Sequence, residues 1–549
     1  MGWSLSKLGL LASVLALISI AGSFAENEEA YVTLLYGDEF VLGVRVLGKS
    51  IRDTGSSKDM VVLVSDGVSD YAKRLLQADG WKVELISLLA NPNQVRPKRF
   101  WGVYTKLKIF NMTMYKKVVY LDADTIVVKS IEDLFQCSRF CANLKHSERL
   151  NSGVMVVEPS KVVFEDMMTK VNSLPSYTGG DQGFLNSYYG DFANSHLFEP
   201  NLTAEVRKSR PVPEMERLST LYNADVGLYM LANKWMVDER ELKVIHYTLG
   251  PIKPWDWWAA WLVKPVEVWQ NARIQLKESL PGTAGGTNPS ERLLIKFLVA
   301  IPIILFLIFY YRSCLQVKLD LRNIFNRSLF SDYGRRMYYN YRSGGGIPTY
   351  TAVTVTSSSI GNSNQQYSTV TNPAVPAYLG AASVLICFTT AFLSLALAFF
   401  VIPRQVTPWT GLLLMYEWTF ATFFALFWSY LRLVHHWGKL AANQAGRASN
   451  QLDSSDYDSS KGHQRNLSNW DVITCFYGSG MAFLAIITPS LPCFFGISAL
   501  FARLGLIITG GIMLAIFMTY ASEHLALRAF LRGLEDREQP RSRTACFLC

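Results

Sequence analysis

The sequence has few cysteines and little charge for its length. Eight cysteines in 549 residues cannot form the dense disulfide framework of a small secreted protein. Charged residues make up only 18% of the chain against 50% hydrophobic residues, a balance unusual for a soluble protein. The formal net charge is +9, but no basic-aromatic pattern typical of nucleic-acid binding is present. No internal repeat supports a transporter either.

Apolar residues are concentrated in the second half of the chain. Five runs are long enough to cross a hydrocarbon core of about 30 Å. These runs are residues 293–311, 377–402, 409–433, 472–488 and 504–521. The sequence therefore predicts a membrane domain over residues 293–521. The fourth run is short and is followed by Pro489 and Pro492, so we expect residues 493–502 to be re-entrant or interfacial.

Basic residues indicate how these runs are oriented. They are frequent in the loops 312–375 and 434–470 and in the tail 522–549, and rare in the other two loops, which have chiefly Arg404 and Arg503. The positive-inside rule makes the basic loops and the tail cytosolic and places residues 26–290 in the lumen. The polar stretch 351–372 is predicted to be disordered.

The first 25 residues point to the same topology. Lys7 precedes an apolar stretch that ends at small residues, which is typical of a signal peptide cleaved near Ala25. An uncleaved signal anchor is the alternative interpretation. Either one sends residues 26–290 into the lumen, so the two arguments agree.

Asp122-Ala123-Asp124 follows the short apolar run 118–121. On a strand, residues two positions apart point the same way, so we expect both carboxylates to face one side. Such oxygen ligands suit Mn²⁺ or Mg²⁺, which in turn binds a diphosphate. Alone, however, this pattern is more typical of a solvated turn.

Strand patterns alternate with helical patterns between residues 31 and 121. This order predicts an α/β domain whose parallel sheet is covered on both faces. Ligands bind such sheets at the carboxyl ends of their strands. The two aspartates follow one of these ends.

Further polar motifs occur downstream, and each alone has an ordinary structural explanation. They are Asn151-Ser152-Gly153, Gly179-Gly180-Asp181-Gln182-Gly183, Tyr222-Asn223, and a segment with His246, Gly250 and Lys253. Their joint order after Thr105-Lys106-Leu107 and the two aspartates resembles the glycogenin-like glycosyltransferases of family 8 over residues 31–260. This resemblance implies a GT-A nucleotide-diphospho-sugar transferase fold, a UDP-sugar donor, Mn²⁺ (or Mg²⁺) and retention of anomeric configuration.

The resemblance also implies roles for individual residues. Asp122, Asp124 and His246 would bind the metal, and Asp181 and Gln182 would lie at the reacting centre. The donor would contact Leu34, Tyr36, Phe40, Lys106, Ala123, Asn151, Gly153, Gly250 and Lys253. One departure from the family pattern is that three residues, instead of two, separate His246 from Gly250, so the backbone path to Lys253 must differ locally.

The architecture narrows the resemblance within the family. A lumenal family 8 domain with several C-terminal spans is similar to plant members that act on inositol phosphorylceramide. That similarity implies transfer of glucuronic acid from UDP-glucuronate to a sphingolipid acceptor in the Golgi membrane. A polysaccharide (xylan-type) glucuronosyl- or glucosyltransferase and an inactive membrane scaffold are the alternatives. Lys98, Arg99 and Arg149 are candidates to bind the donor carboxylate.

Four smaller features complete the sequence-based predictions. Cys137 and Cys141 can form a disulfide, and Asn111 and Asn201 begin glycosylation sequons. Glu417 lies within the third span, where a carboxylate faces protein or water; it would bind a lipid headgroup or partner helix, or make an interhelical hydrogen bond. The four tryptophans at 255, 257, 258 and 261 would form either an interfacial belt or part of the core.

Overall fold

The computed structural model describes residues 28–92, 102–145, 148–202, 205, 209, 211–328, 375–450 and 470–536. The predicted signal peptide, the predicted disordered stretch, and Lys98 and Arg99 lie outside them. The described chain forms two compact units. The first contains the residues up to Leu293 together with Pro403–Gly411 and Ser498–Phe501, and the second contains the remaining helices.

The first unit is built on a sheet of eight strands in the order β3-β2-β1-β4-β7-β6-β9-β8. A smaller sheet has the order β10-β11-β5. The strands are β1 Glu29–Leu35, β2 Asp59–Val64, β3 Lys82–Leu85, β4 Lys117–Leu121, β5 Thr125–Val127, β6 Phe140–Leu144, β7 Leu150–Val157, β8 His196–Leu197, β9 Met215–Leu218, β10 Ala224–Asp225 and β11 Val244–His246.

The sheet is mixed, so the prediction of a parallel sheet is only partly right. Strands β3, β2, β1 and β4 are parallel, as predicted. Strand β7 is antiparallel to both of its neighbours, β4 and β6. The pattern of apolar residues does not reveal strand direction, because a strand buried on both faces reads the same in either sense.

The prediction that both faces of the sheet are covered is confirmed. Along β1, Tyr31 and Leu35 belong to one buried cluster, while Val32 and Leu34 belong to the cluster on the opposite face. Strand β4 alternates in the same way. This period of two follows from the pleat of the strand.

The helices of this unit are α1 Val41–Asp53, α2 Asp70–Ala78, α3 Lys161–Lys170, α4 Asp181–Tyr188, α5 Val226–Ala232, α6 Ala259–Leu262 and α7 Val266–Ile274. Helix α2 begins where the Ser69 hydroxyl accepts a hydrogen bond from the backbone N–H of Ala72, at 3.2 Å. Residues Val103–Asn111 form a run of 3₁₀ turns instead of an α-helix.

The second unit consists of long helices. They are α8 Pro289–Ser328, α9 Leu379–Val401, α10 Pro408–Asn450, α11 Trp470–Phe494 and α12 Leu500–Glu535. Among the described residues, five helices are long and apolar enough to cross a membrane, as predicted. In this unit, the buried side chains of Leu379, Phe427, Tyr477 and Phe530 belong to one apolar cluster.

The helices extend beyond the predicted spans into the predicted loops and tail. Residues 312–328, 434–450 and 522–535 are helical. Hydropathy marks only the apolar part of a helix, and residues such as Lys, Arg, Gln and Ala can continue it. Likewise, α11 includes Pro489 and Pro492, although the sequence predicted that it would end before them. Membrane helices tolerate proline when nearby groups satisfy the backbone.

The remaining small predictions have mixed outcomes. Cys137 and Cys141 are joined by a disulfide in the structure. Asn111 and Asn201 are both exposed. Trp255 and Trp257 are buried, so for these two the prediction of an interfacial belt is wrong and core packing holds.

Candidate active site

Asp122 and Asp124 lie in the turn between β4 and β5, at the edge of the large sheet. The prediction that they share one face of a strand is wrong, since β4 ends at Leu121. The backbone N–H of Asp122 donates to the carbonyl of Gly153 at 2.9 Å, and the N–H of Thr125 donates to the carbonyl of Asp122 at 3.0 Å. This turn nevertheless directs both carboxylates toward the same histidine.

His246 is the last residue of β11, which pairs antiparallel with β5. Its Nε2 lies 3.5 Å from Asp124 Oδ1 and 3.9 Å from Asp122 Oδ2. Three possible ligand atoms, one from each of these residues, all lie within 4.8 Å of one another. Two carboxylates and an imidazole at this spacing can hold a divalent cation.

Asn223 determines which nitrogen of His246 faces the carboxylates. Its Oδ1 lies 3.0 Å from His246 Nδ1, while Lys145 Nζ donates to the same oxygen at 3.5 Å. An oxygen approached by an ammonium acts as an acceptor, so Nδ1 carries the proton and Nε2 presents its lone pair. This is the tautomer that a metal ligand requires, with a second residue fixing the ring.

Gly153 is required by the position of the histidine ring. A Cβ added at residue 153 would lie 2.1 Å from His246 Cε1 and 2.6 Å from Nδ1. No side chain fits there unless the ring moves. The glycine of the Asn-Ser-Gly motif therefore makes room for the imidazole, a role that the sequence did not suggest.

Lys106 connects the candidate metal site to the predicted reacting centre. Its Nζ is 3.0 Å from Asp122 Oδ1 and 3.1 Å from Asp181 Oδ2. The hydroxyl of Ser152 donates to the same Asp181 oxygen at 2.7 Å. Burial alone would lower the pKa of Lys106, but the charges of the two aspartates outweigh it and raise that pKa above its ordinary value.

Lys253 reaches the cluster despite the extra residue before Gly250. Its Nζ donates to Asp124 Oδ2 at 2.7 Å. Gly250 has a φ of +65°, a left-handed conformation that glycine adopts readily. Burial would raise the pKa of Asp124, but the neighbouring His246 and the charge of Lys253 hold it well below its usual range.

Gln182 and Asn151 form the next layer of the site. The side-chain amide of Asn151 donates to Gln182 Oε1 at 3.0 Å, and Gln182 Nε2 donates to the Tyr177 hydroxyl at 3.0 Å. The Arg149 guanidinium lies 4.0 Å from the centre of the Tyr177 ring. An exposed cation is thus connected through one aromatic ring to the predicted reacting centre.

The three residues predicted near the nucleotide base differ in accessibility. Leu34 is buried in the core. Phe40 packs edge-on against Trp255 at 5.6 Å between ring centroids. Burial and the charges of Asp181 and Asp122 raise the pKa of Tyr36, so its phenol stays protonated beside the acidic cluster.

The structure also shows supporting residues that the sequence did not single out. The hydroxyl of Tyr120 donates to Asp122 Oδ1 at 2.8 Å. Lys145 pairs with Asp225 at 3.3 Å, and Asp225 caps α5. Asn223 was noted in the sequence without a role. Nothing in their local sequence distinguishes these residues from ordinary strand and turn positions.

Comparison with known proteins assigns the chain to a family. Residues 31–140 match the family Glycosyl transferase family 8. Over 548 residues the chain is 63% identical to the Arabidopsis thaliana protein inositol phosphorylceramide glucuronosyltransferase 1, with 99% of each chain covered. The chain belongs to glycosyltransferase family 8. The sequence-based prediction of this family is confirmed, and the protein is a glycosyltransferase with the predicted α/β GT-A fold and a C-terminal helical domain.

Other family 8 proteins match only the catalytic part. The putative UDP-glucuronate:xylan alpha-glucuronosyltransferase 3 of Arabidopsis thaliana is 34% identical over 245 residues, which are 42% of this chain and 35% of that protein. The galactosyltransferase LgtC, solved in complex with donor and acceptor sugar analogs, is 17% identical, with a TM-score of 0.35 over 47% of this chain and all of its own. Family membership implies a sugar donor and an acceptor, and the apolar helices indicate association with a membrane.

Proposed function

We propose that this enzyme transfers glucuronic acid from UDP-glucuronate to the inositol headgroup of inositol phosphorylceramide, with retention of configuration. The observation that carries the proposal is the convergence of Asp122, Asp124, His246, Lys106 and Lys253 at one edge of the sheet. Two carboxylates and an imidazole suit a hard cation, and the two ammonium groups suit a diphosphate.

The donor set fits Mn²⁺, with Mg²⁺ as the related alternative. His246 is held with Nε2 facing Asp122 and Asp124, and Asn223 fixes its tautomer. When bound, such a cation neutralises charge on a departing nucleoside diphosphate. The three side chains would be its protein ligands.

Lys253 and Lys106 would act on opposite ends of the donor. Lys253, paired with Asp124 here, would meet the diphosphate and stabilise the negative charge that develops as the bond from the sugar to UDP breaks. Lys106 and the Ser152 hydroxyl hold Asp181 Oδ2, and we propose that Oδ1 of the same carboxylate faces the sugar. Asp181 would stabilise the oxocarbenium-like carbon electrostatically while the acceptor hydroxyl attacks from the face that UDP leaves.

Arg149 supports glucuronate as the transferred sugar. A uronic acid differs from a neutral hexose by one carboxylate, and a guanidinium is the side chain best suited to bind it. Arg149 is exposed and stacks on Tyr177, whose hydroxyl accepts a hydrogen bond from Gln182. Of the three cations predicted for this role, it is the one within the described residues.

The sphingolipid acceptor is supported by the extent of the similarity. The 63% identity to inositol phosphorylceramide glucuronosyltransferase 1 spans the membrane helices as well as the catalytic domain. The xylan relative aligns with only 42% of this chain. An acceptor embedded in a bilayer also favours a catalytic domain tethered by several spans, and we propose that this domain faces the Golgi lumen.

The test is UDP-glucuronate turnover by the full chain in detergent with Mn²⁺, with and without inositol phosphorylceramide. Glucuronate on the lipid would support donor and acceptor together. Transfer to xylan oligosaccharides without lipid product would favour the polysaccharide alternative. No turnover of any UDP-sugar, by protein that is folded, would favour the inactive scaffold.

A further inference from the structure

A short loop between two candidate spans belongs to the catalytic unit. Residues Pro403–Gly411 follow α9 and include the first turn of α10, yet they are part of the compact unit that contains the sheets. In the sequence this loop was noted only because it carries little charge. Its contacts reach two segments that we assign to donor binding.

Arg404 makes a two-point ion pair with Asp256. Arg404 Nε lies 3.0 Å from Asp256 Oδ1, and Nη2 lies 2.8 Å from Oδ2. The same Nη2 donates to the carbonyl of Pro251 at 3.1 Å. Asp256 is completely buried, and this guanidinium offsets the cost of burying its carboxylate.

Asp256 in turn fixes the backbone of Lys253. The N–H of Lys253 donates to Asp256 Oδ2 at 2.8 Å, and the side chain of Lys253 reaches Asp124. Arg404 therefore contacts the turn at both Pro251 and Asp256. One continuous chain of contacts runs from the loop to a candidate metal ligand.

Gln405 contacts the second donor segment. Its Nε2 donates to the carbonyl of Glu39 at 2.7 Å, next to Phe40. The buried Arg273 also contacts the loop, because its guanidinium donates to the carbonyls of Gln405 and Val406. The loop thus bridges the turn beside the predicted base site and the turn that carries Lys253.

Close packing holds the loop in place. The backbone N–H of Trp257 donates to the carbonyl of Arg404 at 3.0 Å. Trp261 and Trp409 meet edge-to-face at 4.8 Å between centroids. A Cβ at Gly411 would lie 2.4 Å from the Trp257 ring, so a larger residue does not fit there without rearrangement. Two tryptophans that precede the first span, Trp257 and Trp261, therefore contact this loop.

We propose that the loop 403–411 completes the donor site, and that Arg404 is a positioning residue that orients the Lys253 turn through Asp256. The inference rests on the proposed function, because it takes Lys253 as a ligand of the donor diphosphate. It assigns to this loop a contribution to donor binding in addition to connecting two candidate spans. A loop that serves only as an anchor would affect stability and leave donor affinity unchanged.

The test compares Arg404→Gln, Arg404→Lys, Asp256→Asn and the double variant Arg404→Gln/Asp256→Asn, all in the full chain in detergent. UDP binding with Mn²⁺ is measured by calorimetry, KM for UDP-glucuronate and for the lipid by kinetics, and Tm by fluorescence. Arg503→Gln is the matched control, because Arg503 lies at the other short loop and donates to the carbonyl of Ile497.

We expect Arg404→Gln to weaken UDP binding and raise the donor KM by about tenfold to hundredfold, since displaced groups lose alignment steeply. The lipid KM should stay unchanged, and Arg404→Lys should restore part of the loss. The double variant should bind UDP at least as tightly as whichever single variant has the lower UDP affinity, because both changes act through one contact. It also removes the buried charge, so it remains measurable if Arg404→Gln unfolds.

Two results would overturn the inference, and they are distinguishable. If wild type binds UDP and the folded variants bind it equally well, with only Tm lowered, the loop is an anchor alone. If folded wild type binds no UDP in the presence of Mn²⁺, the proposed donor function fails and the inference fails with it.

Discussion

Polar side chains behave differently in the two units. In the catalytic unit they join segments far apart in the chain, as Lys253 does with Asp124 and Lys106 with Asp181. In the helical unit, several hydroxyls donate instead to the carbonyl four residues earlier in their own helix. These residues are Thr389, Thr422, Ser429, Thr488, Thr509 and Thr519.

This difference follows from the surroundings of each unit. In an apolar environment a polar group must find a partner nearby, and the backbone of its own helix is always within reach. The edge of a sheet, in contrast, brings several loops together, so their charges can be satisfied by one another and by a ligand. We therefore expect substitutions of polar residues to affect catalysis mainly in the first unit.

The largest effect is expected from Asp122→Ala/Asp124→Ala. Losing the charge stabilisation of a bound cation, worth several kcal/mol, should lower transfer by about 10³-fold. The measurement is glucuronate transfer to lipid, with Mn²⁺ binding followed by electron paramagnetic resonance. The exposed pair Asp53→Ala/Asp70→Ala is the control and should remain active. Equal activity of both double variants would remove the catalytic assignment.

A smaller effect is expected from Asn223→Ala. The variant loses the acceptor that fixes His246 Nδ1, and loss of such support typically weakens metal binding by about 10- to 100-fold. Calorimetric titration with Mn²⁺ measures the change. Asn194→Ala, in which only a hydrogen bond to Asp191 is lost, serves as the control. Unchanged Mn²⁺ affinity would show that Asn223 does not orient the ring.

Arg149→Ala should change the choice of donor rather than the chemistry. A hydrogen bond to a charged group contributes about 1.5–3 kcal/mol, so kcat/KM for UDP-glucuronate should fall by about tenfold or more. The kcat/KM for UDP-glucose should stay constant, because this donor has no carboxylate for Arg149 to bind. Arg240→Ala, at an exposed arginine paired with Asp238, is the matched control. Parallel losses for both donors would contradict a role in carboxylate recognition.

The smallest effect is expected in the helical unit, from Glu417→Gln. Glu417 Oε1 is buried and has no hydrogen-bond partner among the described residues, so it is not part of an interhelical hydrogen bond there. We expect transfer to change by less than about twofold, as for most substitutions away from a functional network. A higher KM for the lipid, with the donor KM unchanged, would indicate that Glu417 contributes to acceptor binding. Such a result would contradict the proposed difference between the two units.

The sequence predicted the elements of the site better than its connections. The alternation of strands and helices, the aspartate pair and the order of the motifs led to the family and to the GT-A domain. The antiparallel β7 was missed, because a strand buried on both faces gives no signal of direction. The helices of the second unit continue past the predicted spans, since hydropathy reports the apolar portion only.

By itself the sequence determined what is local or cumulative: the five apolar helices, the fold class, and the residue types able to bind a metal and a diphosphate. Only the tertiary structure decided which side chains meet. It brought Gly153 against His246, Asn223 behind that ring, and Arg404 to Asp256 across 148 positions of the chain. Local pattern cannot encode these contacts, because they depend on how strands and loops distant in sequence pack at one edge of a sheet.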